Sequence, residues 1–250
     1  MADTATFPAL LSCRAVRDNF LSDILPGEAI RIVETNGGSG EYFADDLSAI
    51  TRYARANRAA LVSCRIGADD AVAGNALVSA GFQLIETLVT SRRVISPAPA
   101  MPNTTSPARD EDAARCVEIS RTAFWADRFH ADPSIDDDDA GTIKAEWMVN
   151  SFAGRADRIL VTRDDDGATG FVTCLLSGDT AVIDLIAVSD GARGLGLGKA
   201  LVAGALAAYA GTAKFMTVGT QDKNTASQAV YRSLGFVPVG KAQTFHLTPE

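Results

Sequence analysis

The sequence predicts an α/β protein in which a mixed, mostly antiparallel sheet with flanking helices is preceded by a smaller α/β domain. Three observations predict this: the order of elements in the C-terminal half, a proline-rich segment that divides the chain, and a glycine-rich junction between a strand and a helix. The chain has 250 residues and is 47% hydrophobic, which is enough for a sizeable core in one large domain or two small ones.

The proline-rich segment gives the predicted domain boundaries. Residues Ser96 to Pro107 have the sequence SPAPAMPNTTSP, and proline at this density interrupts both helices and central strands. We interpret the segment as a semi-extended linker. The predicted domains are a small N-terminal α/β domain at residues 1–95, a linker at 96–108 and a larger domain at 109–250.

The N-terminal domain contains strand-like alternation and two helical stretches. Asp45 or Asp46 is a candidate N-cap for the first helix, and Gly81 follows the second helix in a typical C-terminal cap position. The predicted elements are a strand at Ala29–Glu34, an NGGSG loop at Asn36–Gly40, a helix at Asp45–Asn57, a strand at Ala60–Ile66, a helix at Ala71–Ala80 and a β-rich stretch at Gln83–Val94.

The larger domain begins with two helices, continues with three strands and then alternates between helix and strand, which predicts a mixed sheet with helices on its faces. The connections Asp164–Gly167 and Ser177–Asp179 have the composition of tight hairpin turns. The predicted helices are Glu111–Phe129, Ser134–Phe152, Leu197–Ala210 and Thr225–Leu234, and the predicted strands are Ile159–Arg163, Thr169–Leu176, Ala181–Val188, Phe215–Thr220 and a final strand after Gly235.

Composition excludes several classes of function. The net charge of −8 argues against a general binder of nucleic acid. The first residues, Met1–Leu11, lack the pattern of a secretory signal, and no apolar stretch is long enough for a membrane span. Four cysteines without a CxxC pair and only two histidines make a Cys/His zinc site improbable. We therefore expect a cytoplasmic protein with reduced thiols, no metal, and no nucleic-acid or membrane partner.

A glycine-rich turn from Val188 to Lys199 carries the strongest chemical signal. It joins a strand to a helix, and such a turn points backbone N–H groups to one place at the positive end of the helix dipole. The turn lacks the Ser or Thr of a Walker A loop and the third glycine of a dinucleotide fingerprint. We predict a site for another kind of phosphate or pyrophosphate; the alternative is a turn that merely caps its helix.

The spacing Arg-x-x-Gly-x-Gly in this turn resembles the pyrophosphate loop of the GNAT N-acetyltransferases. The preceding strand, Val182–Val188, resembles that family's splayed central strand, and Val218–Phe236 resembles its second signature. The resemblance covers about residues 109–247 and implies a GNAT fold with acetyl-CoA as co-substrate and no metal. The cofactor-binding residues that it implies are Ile186, Ala187, Val188, Arg193, Gly194, Leu195, Gly196, Leu197, Gly198, Lys199 and Asn224.

Two residues are candidates for proton transfer in the acetyl transfer that this resemblance implies. Tyr231 lies two turns along the helix that Asn224 would cap, where a phenol can protonate the departing CoA thiolate; the alternative is a packed core tyrosine. Asp184 lies on the central strand, where family members often carry a carboxylate. It is either a base, acting directly or through water, or a structural aspartate. Because no cysteine lies near these motifs, we expect direct attack by a substrate amine in a ternary complex.

Other stretches resemble a group within the family, the dTDP-fucosamine acetyltransferases and their relatives. These stretches are Asp127–Pro133, Glu146–Ser151, Gly170–Val172, Val218–Gln221 and the leading small domain. They imply that the acceptor is an amine of a nucleotide-linked deoxysugar. Candidate diphosphate contacts are Arg121, Arg128, Lys144 and Arg155, and candidate stacking rings are Trp125, Phe129 and Trp147, which helical spacing also places in a core.

Several alternatives stay open from the sequence. The acceptor is otherwise another small-molecule or protein amine, and the chain is otherwise a non-catalytic acyl-CoA sensor or an interaction protein. The oligomeric state is open, a homodimer included. His130 is either a substrate contact or a residue that folds its own loop, and the acidic run Asp136–Asp139 is best interpreted as a solvated first helical turn.

A weak internal repeat is also present. The stretch Asn75–Phe82 resembles Gln228–Phe236, since each predicts a helix followed by Gly-Phe and a strand. This is either convergence or a duplicated, degenerate GNAT-like half. In the first copy Leu77 stands where the second has Tyr231, and we note no glycine-rich turn before it.

Overall fold

The computed structural model describes residues 7–35 and 42–249. Short 3-10 turns lie at Asp110–Asp112 and Asp190–Ala192, and a widened turn lies at Ser151–Arg155. The strands are β1 Cys13–Arg17, β2 Ala29–Thr35, β3 Leu61–Gly67, β4 Gln83–Val94, β5 Ser106–Pro107, β6 Arg158–Asp164, β7 Gly167–Ser177, β8 Thr180–Val188, β9 Phe215–Gln221 and β10 Val237–Leu247. The helices are α1 Asn19–Ser22, α2 Phe43–Ala56, α3 Ala71–Ser79, α4 Ala113–Ala123, α5 Asp137–Asn150, α6 Leu197–Ala208 and α7 Thr225–Ser233.

The chain forms two compact units. Unit 1 consists of Met1–Leu88, Ala131–Asp139 and Lys241–Glu250, and unit 2 consists of Val89–His130 and Ala140–Gly240. The bounds of these units differ from those of the predicted domains. Unit 1 gains the end of the chain because β10 pairs antiparallel with β3. The predicted linker belongs to unit 2, where β5 pairs with β6.

Unit 1 is a sheet in the order β1-β2-β3-β10-β4. β2 and β3 are parallel, while β1 and β10 are antiparallel to their partners. Helix α2 places Phe43, Leu47, Ile50 and Ala54 on one face, because residues three to four apart share a side of a helix. This face is buried in a core with Leu77 of α3, so the helical period of the sequence directly produces the packing.

Unit 2 is a mixed, mostly antiparallel sheet in the order β4-β9-β8-β7-β6-β5, as predicted. β8 pairs parallel with β9, whereas β7 is antiparallel to both β6 and β8. One core cluster joins α6 and α7 to the sheet through Leu201, Leu206 and Tyr231. A second cluster joins α4 and α5 to the sheet through Cys116 and Met148. Both sides of the central strands are therefore covered by helices.

Three features of the predicted elements were wrong. Neither Asp45 nor Asp46 caps α2, since both lie in its first turn; Asp46 is buried and accepts hydrogen bonds from the N–H groups of Leu11, Ser12 and Cys13. The helix predicted at 111–129 ends at Ala123, and the next one begins at Asp137 instead of Ser134. The elements β1, α1 and β5 were not predicted.

Other predicted elements agree with the structure. The β-rich stretch Gln83–Val94 is β4, and Gly81 follows α3 with φ of +93°. The acidic run provides the first turn of α5, as expected. The predicted NGGSG loop lies outside the described residues. Among the residues described, no helix is both long enough and apolar enough to cross a membrane.

Candidate active site

A β-bulge marks the central strand of unit 2. Thr173 of β7 lies opposite Leu185 and Cys174 lies opposite Ile183, so Asp184 is the extra residue of β8. The bulge changes the face on which later side chains lie. Ile183 packs in the cluster under α6, whereas Leu185 and Ala187 pack in the cluster under α4. Bulges of this kind redirect side chains and often lie beside functional sites.

The strands β8 and β9 separate just beyond this bulge. Their parallel register begins at Thr180 and Phe215 and ends at Ile183 and Val218. β8 nevertheless continues to Val188, and its other edge stays paired with β7 as far as that residue. Within the described part of the chain, the edge at residues 184–188 has no partner strand from β9. An extended ligand can pair with such an edge as an added strand does.

Three of the predicted cofactor-binding residues, Ile186, Ala187 and Val188, lie on this stretch of β8. Ala187 is buried, while Ile186 and Val188 are half-buried and pack against the cluster under α6. The predicted polarising N–H groups near Ile186 and Ala187 therefore belong to the strand segment that borders the opening between β8 and β9.

The glycine-rich turn follows directly from the end of this strand. Gly194 and Gly196 have φ of +81° and +76°, and Gly196 is the N-cap of α6, so both positions favour glycine on backbone grounds. Gly198 lies within α6 and does not have such a φ. A Cβ at any of the three would meet no protein atom within 4 Å. The turn therefore borders open space. Packing within the chain does not explain why glycine rather than a larger residue stands at position 198.

Leu197, the first residue of α6, is half-buried, and the other predicted residues of the turn are exposed at the same helix N-terminus. Leu195 is 71% exposed, which is unusual for leucine, and Lys199 is exposed on the first turn of α6. Arg193 forms an ion pair of 2.8 Å with Asp190 across the preceding 3-10 turn. The first N–H groups of a helix have no partner within it, so this end of α6 combines unpaired donors, a positive dipole end and two cations.

Asn224 caps α7, as the sequence predicts. Its side-chain oxygen accepts a hydrogen bond of 3.1 Å from the N–H of Ser227. Among the described residues, no group accepts from its amide NH2, and the residue is only half-buried. The side chain therefore has a donor left for a ligand.

Tyr231 lies in the core of unit 2 and is 4% exposed. Its ring contacts Phe236, with centroids 5.9 Å apart. Burial raises the pKa of its phenol to about 12, although a hydrogen bond with Ser227 opposes the shift. Tyr231 therefore keeps its proton at neutral pH, which a general acid requires, but its burial also agrees with the core interpretation.

Asp184 is held by two neighbours. Its two oxygens accept hydrogen bonds from the guanidinium of Arg155, and the indole Nε1 of Trp147 donates to Oδ2 at 3.1 Å. Arg155 also lies over the Trp147 ring, 5.1 Å from its centroid. Of the two interpretations from the sequence, this geometry favours a structural aspartate, since neither oxygen is unoccupied. Arg155 and Trp147 were not predicted as its partners.

A second polar cluster, in α5 and the segment before it, was also not predicted. Asp127 and Lys144 form a buried ion pair, with Lys144 Nζ 2.6 Å from Asp127 Oδ2. His130 Nδ1 lies 2.8 Å from Asp127 Oδ1. The only sequence signal for this cluster was the acidic, basic and aromatic composition of Asp127–Pro133.

These ion pairs change the predicted acceptor contacts. Lys144 and Arg155 are engaged with Asp127 and Asp184, so they are poor candidates to meet a diphosphate. Arg121 is exposed and donates to Thr142 at 3.0 Å. The candidate stacking rings differ from one another as well: Trp125 is 70% exposed, Trp147 is half-buried and Phe129 is buried.

The four cysteines are buried and form no disulfide. Burial raises the pKa of each thiol to about 12, so none is a ready nucleophile. No group of three or more His, Cys, Asp or Glu residues in the described ranges is arranged to hold a metal ion.

One part of the chain matches a known protein family. Residues 120–236 match the model described as the Acetyltransferase (GNAT) family. Residues 120–236 therefore carry the GNAT acetyltransferase domain that the sequence resemblance implied. The co-substrate of that family is acetyl-CoA.

The chain is also similar to individual proteins. The spore coat polysaccharide biosynthesis protein SpsD of Bacillus subtilis (strain 168) is 30% identical over 145 residues, which are 57% of this chain and 50% of SpsD. The chain thus matches only half the length of that relative. A GCN5-related N-acetyltransferase from Sphaerobacter thermophilus has a TM-score of 0.64 at 14% identity, covering 94% of this chain and 76% of its own.

A tandem GNAT protein from the clavulanic acid biosynthesis pathway has a TM-score of 0.61 at 14% identity, covering 89% of this chain and 75% of its own. At these identities, the two solved structures demonstrate a shared fold. The predicted fold class is thereby confirmed.

Proposed function

We propose that this protein is an acetyl-CoA-dependent N-acetyltransferase whose acceptor is an amino group of a nucleotide-linked deoxysugar. The observation that carries the proposal is the open space in front of the glycine turn, directly beside the unpaired edge of β8. A pyrophosphate at the N-terminus of α6 and an extended pantetheine chain along β8 fit these two adjoining features.

In this proposal the turn holds the pyrophosphate through backbone N–H groups, with Arg193 and Lys199 adding positive charge. Asn224 donates its amide to the pantetheine chain. A backbone N–H near Ile186 or Ala187 polarises the thioester carbonyl, and the charge that develops on its oxygen is stabilised there. The acceptor amine attacks the carbonyl carbon directly.

Tyr231 is the proposed general acid. The thiolate leaves as the tetrahedral species collapses, and the phenol donates its proton to the sulfur. The raised pKa of Tyr231 keeps that proton available throughout the neutral range. The buried thiols support direct attack, since none of them is disposed to carry an acyl group.

Asp184 holds the bulge in place through Arg155 and Trp147. Because both of its oxygens already accept hydrogen bonds, any part that it takes in proton transfer runs through water. In the proposed mechanism it fixes the geometry of β8 where the thioester carbonyl would lie.

Support for a sugar acceptor comes from sequence. SpsD is described as a polysaccharide biosynthesis protein, and the stretches Asp127–Pro133 and Glu146–Ser151 resemble the dTDP-fucosamine acetyltransferases. The exposed Trp125 and Arg121 are suited to contact a base or sugar ring and a phosphate, respectively.

A panel of acceptors tests this proposal. CoA release from acetyl-CoA is measured with dTDP-4-amino-4,6-dideoxygalactose, spermidine, a lysine-containing peptide and a free amino acid. We expect the nucleotide sugar to be acetylated with the highest kcat/KM. Preferential acetylation of spermidine or the peptide overturns the substrate, and CoA binding without transfer to any amine identifies an acyl-CoA sensor.

We further propose that the N-terminal unit is a GNAT-like half without catalytic residues. The strands β2 and β3 are parallel and are paired from Ala29 and Leu61 to Ile32 and Cys64. This pairing ends before either strand ends, and the pairing of β8 with β9 does the same. The similarity to a tandem GNAT structure over most of the chain supports this interpretation.

A further inference from the structure

The proposed reaction needs a base, and Asp184 is poorly placed to act as one. An amine is protonated at neutral pH, and it must lose a proton before its lone pair can attack a thioester. Both oxygens of Asp184 are bonded to Arg155. Unit 2 contains another group with the chemistry of a base, in the segment between α4 and α5.

This group is the Asp127–His130 pair. Asp127 Oδ1 lies 2.8 Å from Nδ1 of His130 and accepts the backbone N–H groups of Phe129 and His130 at 3.1 and 3.0 Å. Oδ2 lies 2.6 Å from Lys144 Nζ. Burial alone raises the pKa of Asp127, but the hydrogen bond with His130 and the charge of Lys144 together lower it to about 2. Asp127 is therefore ionised.

An ionised carboxylate only accepts hydrogen bonds, so His130 donates from Nδ1 to Asp127, and in the neutral imidazole the lone pair then lies on Nε2. No residue in the described part of the chain hydrogen-bonds Nε2, and 12% of the His130 side chain is exposed to solvent. The arrangement fixes the ring and its tautomer while leaving one nitrogen able to accept a proton.

Stability alone does not account for this cluster. Lys144 is buried, with its ammonium 5.0 Å, 5.4 Å and 4.8 Å from the ring centroids of Phe124, Phe129 and Trp147. Taking such an ion pair out of water is costly, and apolar residues of similar volume often stabilise a fold as well or better. The pair does one thing that apolar packing would not do, because the charge of Lys144 keeps Asp127 ionised beside His130.

The cluster is connected to the opening of β8. Lys144 lies over the ring of Trp147, and the indole of Trp147 donates to Asp184 in the bulge. The contacts thus run without a break from His130 through Asp127, Lys144 and Trp147 to the strand along which the acetyl group would lie. The segment between α4 and α5 also carries Arg128, whose guanidinium lies over the ring of Phe129, and Asp132, whose carboxylate is paired with His246.

We propose that His130 Nε2 is the base that deprotonates the acceptor ammonium, an inference that rests on the proposed acetyltransferase function. The ammonium gives one proton to Nε2, and the nitrogen lone pair then forms the N–C bond as the carbonyl electron pair moves to oxygen. When that pair returns, the C–S bond breaks and the sulfur takes the proton of Tyr231. The nitrogen loses its second proton to solvent, from which Tyr231 is reprotonated, and His130 releases its proton to solvent.

Two histidines make a matched experiment possible, since the chain contains only His130 and His246. His246 Nδ1 lies 2.6 Å from Asp132 Oδ2 in unit 1, but only 1% of its side chain is exposed. His130→Asn and His246→Asn each remove one imidazole while keeping a side-chain donor. Acetyl-CoA affinity by calorimetry reports whether each variant is folded, and His130→Ala with added imidazole provides a second measurement.

The assay uses dTDP-4-amino-4,6-dideoxygalactose, or whichever amine of the panel the wild-type protein acetylates. We expect His130→Asn to lower kcat/KM by about 10²- to 10⁴-fold at neutral pH with unchanged acetyl-CoA affinity. The deficit should shrink as the pH approaches the pKa of the amine, and imidazole should restore part of the activity of His130→Ala. His246→Asn, per folded molecule, should keep the wild-type pH profile.

Three results overturn the inference. A His130→Asn rate within about threefold of the wild-type rate removes the base role, because general-base catalysis is worth more than that. A loss that neither higher pH nor imidazole relieves makes His130 a positioning residue. If the wild-type protein transfers acetyl to no amine, the proposed function fails and the inference fails with it; the first two results leave that function intact.

Discussion

Two strand–helix–strand segments of the molecule, β3–α3–β4 and β9–α7–β10, have nearly the same local geometry. Asp70 caps α3 by accepting the N–H of Ala73 at 3.0 Å, and Asn224 caps α7 by accepting the N–H of Ser227 at 3.1 Å. After each helix a glycine of positive φ precedes a buried phenylalanine, namely Gly81 before Phe82 and Gly235 before Phe236.

The hydrogen bonds that end the two helices also correspond. The N–H of Phe82 donates to Leu77 O at 3.0 Å, and that of Phe236 donates to Tyr231 O at 3.1 Å. Leu77 and Tyr231 thus occupy the same position, and both are buried. At this position either side chain can pack in the core. Only the phenol of Tyr231 can donate a proton to a thiolate.

Removing the phenol hydroxyl of Tyr231 should have the largest effect on turnover. Tyr231→Phe keeps the ring and removes the hydroxyl, so kcat should fall about 10²- to 10⁴-fold while acetyl-CoA affinity changes little. Steady-state kinetics with the best acceptor, combined with calorimetry, measures both quantities. Normal turnover in the Phe variant would make Tyr231 a packing residue like Leu77.

The matched change in the first segment is Leu77→Ala. It should lower the free energy of unfolding by about 2–5 kcal/mol, since a fully buried leucine leaves a cavity. Turnover per folded molecule should stay at the wild-type value. Chemical denaturation followed by an activity assay at low denaturant separates the two, and a turnover defect in this variant would contradict the comparison.

The glycine turn gives the next largest effect. Gly196→Val places a branched side chain at a φ of +76° and in the open space beside the helix N-terminus, so the Kd for acetyl-CoA should rise roughly tenfold or more. Gly211→Val is the control, because Gly211 has a φ of +77° and equally open surroundings beyond the other end of α6. Equal affinities in the two variants would place the pyrophosphate elsewhere.

The N-caps of α3 and α7 provide a second matched pair of variants. Asp70→Ala and Asn224→Ala should each cost about 1 kcal/mol of stability, because each removes one N-terminal hydrogen bond. Only Asn224→Ala should also weaken acetyl-CoA binding. Thermal denaturation and calorimetry on both variants test this, and an affinity loss shared by Asp70→Ala would be inconsistent with a ligand contact specific to Asn224.

Gly81→Ala and Gly235→Ala should have the smallest effects, which should also be nearly equal. Each places a Cβ at a positive φ, which costs about 1–2 kcal/mol, and the nearest protein atoms lie at ordinary contact distances. The denaturation midpoints of the two variants should fall by similar amounts, and kcat should not change. A large functional defect from Gly235→Ala alone would show that the end of α7 takes part in catalysis.

The fold could be predicted largely because local sequence and tertiary structure agree. The boundaries of β4 follow from a β-rich run after Gly81 and before Ser96-Pro97. The helix predicted at 111–129 stops at Ala123, and beyond it Asp127 accepts the N–H groups of Phe129 and His130, which folds a local turn where helix was predicted. Asp127 is also paired with Lys144, a contact between distant positions that no local pattern reveals.

The candidate site also has one part that local sequence predicts and one part that depends on distant contacts. The glycine turn and the Asn224 cap follow from local sequence, because backbone conformation and capping act over a few residues. The bulge at Asp184 and its bonds to Arg155 and Trp147 depend on strand register and on packing against another element.

The burial of all four thiols makes the protein well suited to site-directed labelling. Because their raised pKa values leave these thiols almost entirely protonated near neutral pH, maleimides should modify them slowly in the native state. A single cysteine introduced at the 71% exposed Leu195 would then be the dominant reactive position, at the tip of the glycine turn. An environment-sensitive fluorophore attached there would report coenzyme binding in real time, without radiolabel and without any need to know the acceptor.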